Sequence, residues 1–206
     1  MTQTIALIDY GAGNLRSVAN ALRAAGAGKV MVTGDAAVVA QADRIVLPGV
    51  GAFKHCIDAL TAIDGLARAL EVRVRDDGVP FLGICVGMQL LADAGEEHGV
   101  HQGLGWIGGT VRAICPAERQ VRVPHMGWND VWAASPHPLI ETGEAYFLHS
   151  YHFDDCAAEA VVATTDHGGS LVAAVAHDTI IGVQFHPEKS QAYGLRFLER
   201  FLAWRP

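Results

Sequence analysis

The feature that most constrains the fold is an alternation of short apolar runs and longer amphipathic stretches in the first half of the chain. Runs of strand length occur at residues 4–8, 30–33, 45–47 and 80–84. Residues 15–25 and the stretch that ends near Arg75 are amphipathic, and another helical segment starts near Val86. Strands and helices that alternate in this way form a parallel sheet with helices on both faces. We therefore predict a doubly wound α/β fold.

From Trp106 onward the pattern changes to short β-type runs. Six of them lie at residues 107–114, 121–123, 130–133, 146–153, 161–165 and 171–176. They predict β-hairpins added to the mostly parallel sheet. A last apolar run, residues 180–185, precedes an amphipathic helix over 191–204. Because no linker or repeat interrupts the pattern, we expect one domain over residues 1–206.

Composition narrows the class of protein. The chain has 22 acidic and 15 basic residues, a net charge of −7, which argues against binding to nucleic acid. Its longest stretch without charged residues, 78–92, is shorter than the ~20 residues of a membrane span. Its first apolar run has no basic region before it, so we expect no signal peptide. Four cysteines without a paired motif favour a reducing compartment, and we expect a cytosolic protein.

Four other patterns are expected to carry no chemistry. Gly11 and Gly13 follow a strand as in a dinucleotide loop, but Arg16 occupies the third glycine position. A phosphate loop ending at Gly28 would need a serine or threonine where Val30 stands. The histidines are scattered, and His98 with His101 has no third ligand near it in sequence, so we expect no metal site. Three cysteines outside any motif are predicted to be small apolar core residues: Cys56, Cys115 and Cys156.

Cys85 lies at a sharp turn from a buried strand into a helix, within Gly83-Ile84-Cys85-Val86-Gly87. This is the nucleophile-elbow pattern with cysteine in place of serine. Glycines are needed there because larger side chains would collide with the adjacent strand and helix. The start of the helix would favour the thiolate form. The alternative is a core cysteine in a tightly packed turn.

Gln184-Phe185-His186-Pro187-Glu188 ends the last apolar run. Pro187 fixes the backbone just past the strand and presents the two ionisable groups together. His186 could take the thiol proton and return it to a leaving amine, while Glu188 holds the other ring nitrogen. Both would lie with Cys85 at the carboxyl edge of the sheet, where α/β folds bind ligands. The predicted triad is therefore Cys85, His186 and Glu188; a solvated turn is the alternative for the His-Pro-Glu sequence.

These residues together resemble the class I glutamine amidotransferases, whose fold is a flavodoxin-like, doubly wound sheet. The resemblance rests on Gly-Ile-Cys-Val-Gly-Met-Gln at 83–89 and Gln-Phe-His-Pro-Glu-Lys-Ser at 184–190. Four more stretches narrow it to the glutaminase subunits of imidazole glycerol phosphate synthases: Asp-Tyr-Gly-Ala-Gly-Asn at 9–14, Pro-Gly-Val-Gly at 48–51, Pro-His-Met-Gly-Trp-Asn at 124–129 and His-Ser-Tyr at 149–151. The resemblance spans residues 5–202.

The resemblance implies hydrolysis of L-glutamine through a thioester on Cys85. Attack on the side-chain amide gives a tetrahedral oxyanion, which needs two hydrogen-bond donors placed beforehand. One is expected to be the backbone amide of Val86. The resemblance assigns the other to the N–H of Val50, whose neighbours Gly49 and Gly51 would allow that peptide to rotate.

Four residues are predicted to contact the substrate. Gln89 lies one helical turn after Cys85 and so points the same way, and the resemblance assigns its amide to glutamine. The resemblance also places His149, Ser150 and Tyr151 beside the substrate carboxylate. For these three the alternative is a strand end packed against the hairpins.

No motif is left for an acceptor of ammonia, and no cofactor is expected. The resemblance implies a partner, a (β/α)₈-barrel cyclase, that receives ammonia through an internal passage. It would make imidazole glycerol phosphate and aminoimidazole carboxamide ribotide in histidine biosynthesis. The docking face is predicted on the side of Cys85, with Asn14, Met126, Trp128 and Tyr146. Trp128 is the predicted anchor because buried tryptophans contribute much of an interface's energy; a core tryptophan is the alternative.

Two other functions fit the same residues. A sister glutaminase could serve anthranilate, guanylate or pyridoxal phosphate synthesis with identical chemistry, although the tryptophan-bearing stretch at 124–129 favours the histidine pathway. A non-catalytic regulatory subunit could keep the elbow as a scaffold, but the complete predicted triad argues against it.

Overall fold

The computed structural model describes residues 3–117 and 121–206 and contains two sheets. Strands are numbered along the chain. The large sheet has nine, in the spatial order β2 Lys29–Thr33, β1 Thr4–Ile8, β3 Arg44–Gly49, β4 Phe81–Cys85, β13 Ile180–Val183, β12 Ser170–His177, β11 Val161–Asp166, β8 His125–Ala133 and β9 Gly143–His149. The small sheet has four, in the order β10 Tyr151–Asp154, β7 Thr110–Ala113, β5 Ala94–Gly95 and β6 His101–Gln102.

The first five strands of the large sheet are parallel and confirm the predicted doubly wound architecture. Helix α1 (Leu15–Ala24) packs against α6 (Gln191–Ala203), and α3 (Phe53–Ala62) packs against α4 (Leu66–Glu71). Every residue of β3 is buried, which requires cover on both faces of the sheet.

The carboxyl ends of three parallel strands meet at one edge of the sheet. Gly49 of β3 lies opposite Cys85 of β4, and Ile84 lies opposite Val183 of β13. Residues that follow β3, β4 and β13 are therefore brought together although they are far apart in sequence. This edge carries the predicted nucleophile.

The antiparallel half confirms the predicted hairpins but corrects their bounds. Strand β8 begins at His125 rather than at residue 130, because it pairs continuously with β9 from the His125–His149 pair to the Val131–Gly143 pair. The predicted strand at 121–123 is wrong, since these residues form no strand. Pro124 follows them and has no backbone N–H to donate to a ladder.

The predicted strand at 146–153 is in fact two strands in different sheets. β9 ends at His149 and β10 begins at Tyr151, with Ser150 between them. The N–H of Ile114, just past β7, donates to the Ser150 carbonyl at 2.9 Å and fixes this junction. The predicted strand at 107–114 is limited to β7, because Gly108 and Gly109 precede it. The His-Ser-Tyr sequence thus lies where the chain crosses from the large sheet to the small one.

The helices also differ from prediction in part. The helical segment after β4, α5, covers only Val86–Gln89. The helical region near Arg75 is broken at Gly65 into α3 and α4, and a π-helical turn follows at Val72–Asp76. A short helix, α2 (Ala36–Val39), was not predicted.

Within residues 3–117 and 121–206, none of the helices is long and apolar enough to cross a bilayer.

Candidate active site

Cys85 occupies a strained turn between β4 and α5. Its φ of 54° and ψ of −112° lie in a region that residues with a side chain rarely adopt. A Cβ on Gly83 would lie 2.5 Å from the carbonyl oxygen of Gly87, and one on Gly87 would lie 1.9 Å from that of Leu47. Both glycines are therefore required by close backbone approach, as the elbow pattern predicted.

His186 and Glu188 form a buried pair just after β13. The ring Nδ1 of His186 lies 2.9 Å from Oε1 of Glu188, and the two side chains are 3% and 2% exposed. Among the described residues, the other carboxylate oxygen of Glu188 has no hydrogen-bond partner. The imidazole is thus the hydrogen-bond partner of the Glu188 carboxylate, and this contact holds the ring of His186 in one orientation.

The backbone that carries this pair is fastened to β9. The N–H of His186 donates to the carbonyl of Tyr146 at 2.8 Å. Ser190, fully buried, donates through its hydroxyl to the His186 carbonyl at 2.7 Å and accepts from the N–H of Tyr146 at 2.9 Å. Sequence reasoning missed Ser190; its only signal is its place directly after the His-Pro-Glu-Lys sequence.

The surroundings of His186 favour its charged form. Burial alone would lower the pKa of its imidazole, but hydrogen bonds with Cys85 and Glu188 outweigh burial and raise the pKa to about 10. A charged imidazole beside the sulfur is the partner that a reactive cysteine nucleophile requires.

The sulfur of Cys85 has two further polar neighbours. The side-chain amide of Gln184 donates to Sγ at 3.6 Å, and the Leu148 carbonyl oxygen lies 3.9 Å from it. The expected support from a helix start is weaker than predicted, because α5 has a single turn and its dipole is small. The side-chain amide of Gln184 nevertheless brings an N–H donor to the sulfur.

A cavity of about 280 Å³ opens above the sulfur. It is lined by most of the predicted site residues: Cys85, Val86, Val50, Gly51, Gln89, His149, Ser150, Tyr151 and His186. Gly49 and Glu188 lie behind this lining, the first paired with Cys85 across the strands and the second behind the imidazole. Sequence reasoning assigned no site role to four other lining residues, Glu97, Pro124, Leu148 and Lys189. Pro124 and Lys189 lie inside the stretches that carry the family resemblance, whereas nothing in the local sequence marks Glu97 or Leu148.

Two side chains form hydrogen bonds with the predicted oxyanion turn, residues 48–51. The Tyr10 hydroxyl donates to the Pro48 carbonyl at 2.7 Å, and the Cys56 thiol donates to the Val50 carbonyl at 3.4 Å. Gly51 has a φ of +96°, which favours glycine. Carbonyls on both sides of the Gly49–Val50 peptide are therefore fixed, while Val50 itself lines the cavity.

Residues 6–203 match the family Glutamine amidotransferase class-I. The chain belongs to this family. The imidazole glycerol phosphate synthase subunit HisH of Zymomonas mobilis is 60% identical over 208 residues, which cover 100% of this chain and 98% of that protein. The HisH subunit of Rhodospirillum rubrum is 52% identical, with 98% of this chain and 99% of that protein covered. At these identities the chain also belongs to the HisH subunit family.

A solved structure shares the fold of this glutamine amidotransferase at much lower identity. The crystal structure described as a glutamine amidotransferase matches with a TM-score of 0.75 and 18% identity, over 96% of this chain and 97% of that chain. Fold class is thereby confirmed over nearly the whole chain.

The predicted docking residues of this amidotransferase occupy two places. Met126 and Trp128, 65% and 47% exposed, lie on one face of β8, and Trp128 pairs with Tyr146 of β9. Leu148, opposite Met126, continues the exposed face to the cavity. Trp128 is therefore not a core residue. Asn14 precedes α1, and the described contacts do not join it to this face.

The other cysteines of this amidotransferase differ in burial. Cys56 is buried, as predicted, and Cys156 is half-buried. The prediction of a core position is wrong for Cys115, which is exposed. All four cysteines are free.

The raised pKa of His186, caused by Cys85 and Glu188, predicts that the contribution of this imidazole to stability declines as pH rises. In the folded amidotransferase the pKa of His186 is about 10, whereas a histidine in an unfolded chain titrates near ~6.5. Below pH ~6.5 the imidazole is protonated in both the folded and the unfolded chain, and its interactions contribute fully to the free energy of unfolding. As the pH rises from there toward 10, the unfolded chain loses this proton first, and the contribution to the free energy of unfolding becomes smaller. Urea unfolding should therefore show a difference between wild type and His186→Gln that is largest near pH 6 and smallest near pH 9.5.

The matched control for that measurement is His55→Gln, on an exposed histidine of α3. It removes an imidazole that does not line the cavity, so it measures the effect of the substitution itself. A wild-type advantage over His186→Gln that grew with pH would contradict the assignment of a charged, paired imidazole.

Proposed function

We propose that this chain hydrolyses L-glutamine to glutamate and ammonia at Cys85 and supplies the ammonia to a (β/α)₈-barrel cyclase subunit. The observation that carries the proposal is the cavity that holds Cys85 and His186, with Glu188 behind the imidazole. Identities of 60% and 52% to HisH subunits over the full chain support the histidine pathway. The chain needs no cofactor for this reaction.

The proposed reaction uses the triad in two half-reactions. His186 takes the proton of the Cys85 thiol, and the thiolate attacks the amide carbon of glutamine to form a C–S bond. Backbone amides of Val86 and Val50 are the proposed donors to the oxyanion. The C–N bond then breaks as the imidazolium gives its proton to the leaving amide nitrogen, which departs as ammonia. Water, deprotonated by His186, hydrolyses the thioester and releases glutamate.

The cavity also offers groups for the amino-acid end of the substrate. Glu97 and Lys189 bring opposite charges to its wall, and a zwitterionic ammonium and carboxylate need both signs. His149 lines the same wall, and burial lowers its pKa to about 3, so it is a neutral hydrogen-bonding group. Gln89, Ser150 and Tyr151 complete the proposed substrate contacts.

The exposed face of Met126, Trp128 and Leu148 is the proposed docking surface for the cyclase, with Tyr146 beside Trp128. It adjoins the cavity, because Leu148 belongs to both. A partner seated there would close the cavity against bulk water, and ammonia could pass between the subunits. A sister synthase or a non-catalytic subunit explains the full-length HisH identities less well.

Titration calorimetry with the barrel cyclase tests this proposal. The chain is expected to bind the cyclase and to support glutamine-dependent synthesis, whereas Trp128→Ala should bind about 30-fold more weakly, because it removes an anchor worth ~2 kcal/mol. Trp132→Ala is the matched control: Trp132 is 50% exposed on the same strand but lies farther from the cavity, and near-wild-type affinity is expected. Equal affinity of Trp128→Ala and wild type would exclude the anchor role, and no binding by wild type would exclude the cyclase as partner.

A further inference from the structure

A chain of buried side-chain hydrogen bonds ends on the sulfur of Cys85. Gln184, fully buried just after β13, donates through its amide nitrogen to Sγ at 3.6 Å. Its amide oxygen accepts from Nε2 of Gln89 at 3.0 Å. Because the NH₂ group of Gln89 is only a donor, Gln184 must turn its oxygen to Gln89 and its N–H toward the sulfur.

The orientation of Gln89 is set in turn by the backbone of Tyr151. Nε2 of Gln89 donates to the Tyr151 carbonyl at 2.9 Å, and a carbonyl can only accept. Gln89 was predicted to offer its amide to the substrate, but the nitrogen is committed to Tyr151 and Gln184. This leaves the oxygen of Gln89 as the atom that faces other groups.

The same Tyr151 carbonyl also contacts buried His149, which in turn contacts buried His125. Nδ1 of His149 lies 2.9 Å from it, and Nε2 of His149 lies 2.9 Å from Nδ1 of His125. Asn129 completes the series, since its amide nitrogen donates to Nε2 of His125 at 2.9 Å and to the Asp166 carbonyl at 2.7 Å. A carbonyl therefore fixes each end of this series of groups.

The direction of every hydrogen bond in the series follows from neutral imidazoles. Burial lowers the pKa of His125 to about 4 and that of His149 to about 3. Each ring then carries one N–H, and the only consistent pattern has His149 donating to Tyr151 and His125 donating to His149. His125 is also stacked between Phe147 and His167, with ring centroids 4.6 and 4.1 Å away.

We propose that Gln184 is a catalytic residue that stabilises the Cys85 thiolate by hydrogen bonding, that Gln89, oriented by the Tyr151 carbonyl, fixes the direction of its N–H, and that His149 and His125 are positioning residues that hold this carbonyl in place. An N–H donor gains strength as the sulfur becomes negative. The chain of bonds connects the nucleophile to β8, the strand that carries the exposed face of Met126 and Trp128. This inference rests on the proposed role of Cys85.

Alkylation of Cys85 by iodoacetamide, followed on its own peptide by mass spectrometry, tests the inference. In Gln184→Leu, which keeps the size of the side chain but removes the donor, alkylation at pH 7 should slow about tenfold, the effect of one hydrogen bond to a charged group. The rate–pH profile should move to higher pH. In the complex with the cyclase, kcat for glutamine hydrolysis should fall about tenfold while KM stays near the wild-type value.

Variants of His125, which lies far from Cys85 along the hydrogen-bonded series, distinguish a positioning role from an effect on folding. His125→Phe keeps the stack between Phe147 and His167 but removes both hydrogen bonds, so alkylation should slow in the same direction by a smaller factor. His125→Asn keeps a donor near the position of Nδ1 and should restore part of the rate. In the double variant with Gln184→Leu, His125→Phe should add no further slowing, because its effect acts through Gln184.

The outcomes are distinct. No adduct on Cys85 in the wild-type chain would overturn the proposed nucleophile. An adduct whose rate and pH profile are unchanged in Gln184→Leu would overturn the role of Gln184. Slowing in Gln184→Leu with none in His125→Phe would overturn the positioning role of the histidines. If Gln184→Leu does not fold, Gln184→Glu, which replaces the donor by a negative oxygen, should slow alkylation even more, and an unchanged rate there would overturn the inference.

Discussion

Cys85→Ala is expected to lower glutamine hydrolysis by at least about 10³-fold, because no thioester forms without the sulfur. The same variant should keep ammonium-dependent synthesis in the complex with the cyclase at the wild-type rate, since the proposed partner would perform the cyclisation. The measurement is product formation by the complex with glutamine and, separately, with an ammonium salt at saturating acceptor. The two rates are compared in one preparation.

Cys115→Ala is the matched control, because Cys115 is a free and exposed cysteine outside the cavity. It should retain both activities. Loss of both activities in Cys85→Ala would contradict the division of labour between the subunits. Retention of glutamine hydrolysis would refute the assignment of the nucleophile.

Gly87→Ala is expected to destabilise the fold by about 3 kcal/mol or more, at the upper end of the range for overpacked sites. The new Cβ would lie 1.9 Å from the Leu47 carbonyl oxygen and 2.9 Å from its carbon. These are backbone atoms of β3, so relief requires that the elbow or the strand move. The free energy of unfolding in urea measures the effect.

Gly108→Ala is the corresponding control, because the nearest atom to its Cβ would be a carboxylate oxygen of Asp93 at 3.7 Å. Its change in unfolding free energy should stay within about 0.5 kcal/mol. Equal stabilities of Gly87→Ala and Gly108→Ala would show that β3 and the elbow can separate at little cost.

The parallel half of the fold was predictable because its central strands are fully buried and carry their signal locally. β3 and β4 consist of buried residues and follow from their apolar runs. The turn at Cys85 was predictable for the same reason, since Gly83 and Gly87 mark a close approach within a few residues. Such features depend on neighbours in sequence or on burial alone.

The strand bounds of the antiparallel half and much of the cavity wall depend on contacts between residues that are far apart along the chain. His125 and His149 look polar in sequence, yet each is buried because the other, across the β8–β9 pair, satisfies its ring nitrogen. The break at Ser150 is set by pairing with β7, which lies almost 40 residues earlier. Gln184 gives no local sign that its amide meets a sulfur. These contacts decide the strand bounds and much of the cavity wall.

The left-handed backbone of Cys85 implies a compromise between durability and chemistry. A non-glycine residue in such a conformation costs about 1–3 kcal/mol, and a glycine would relieve it at this position. Residue 85 nevertheless carries the side chain of cysteine, although its backbone conformation favours glycine. If Cys85 is the proposed nucleophile, its reactivity is retained at the expense of stability that the architecture could otherwise reach.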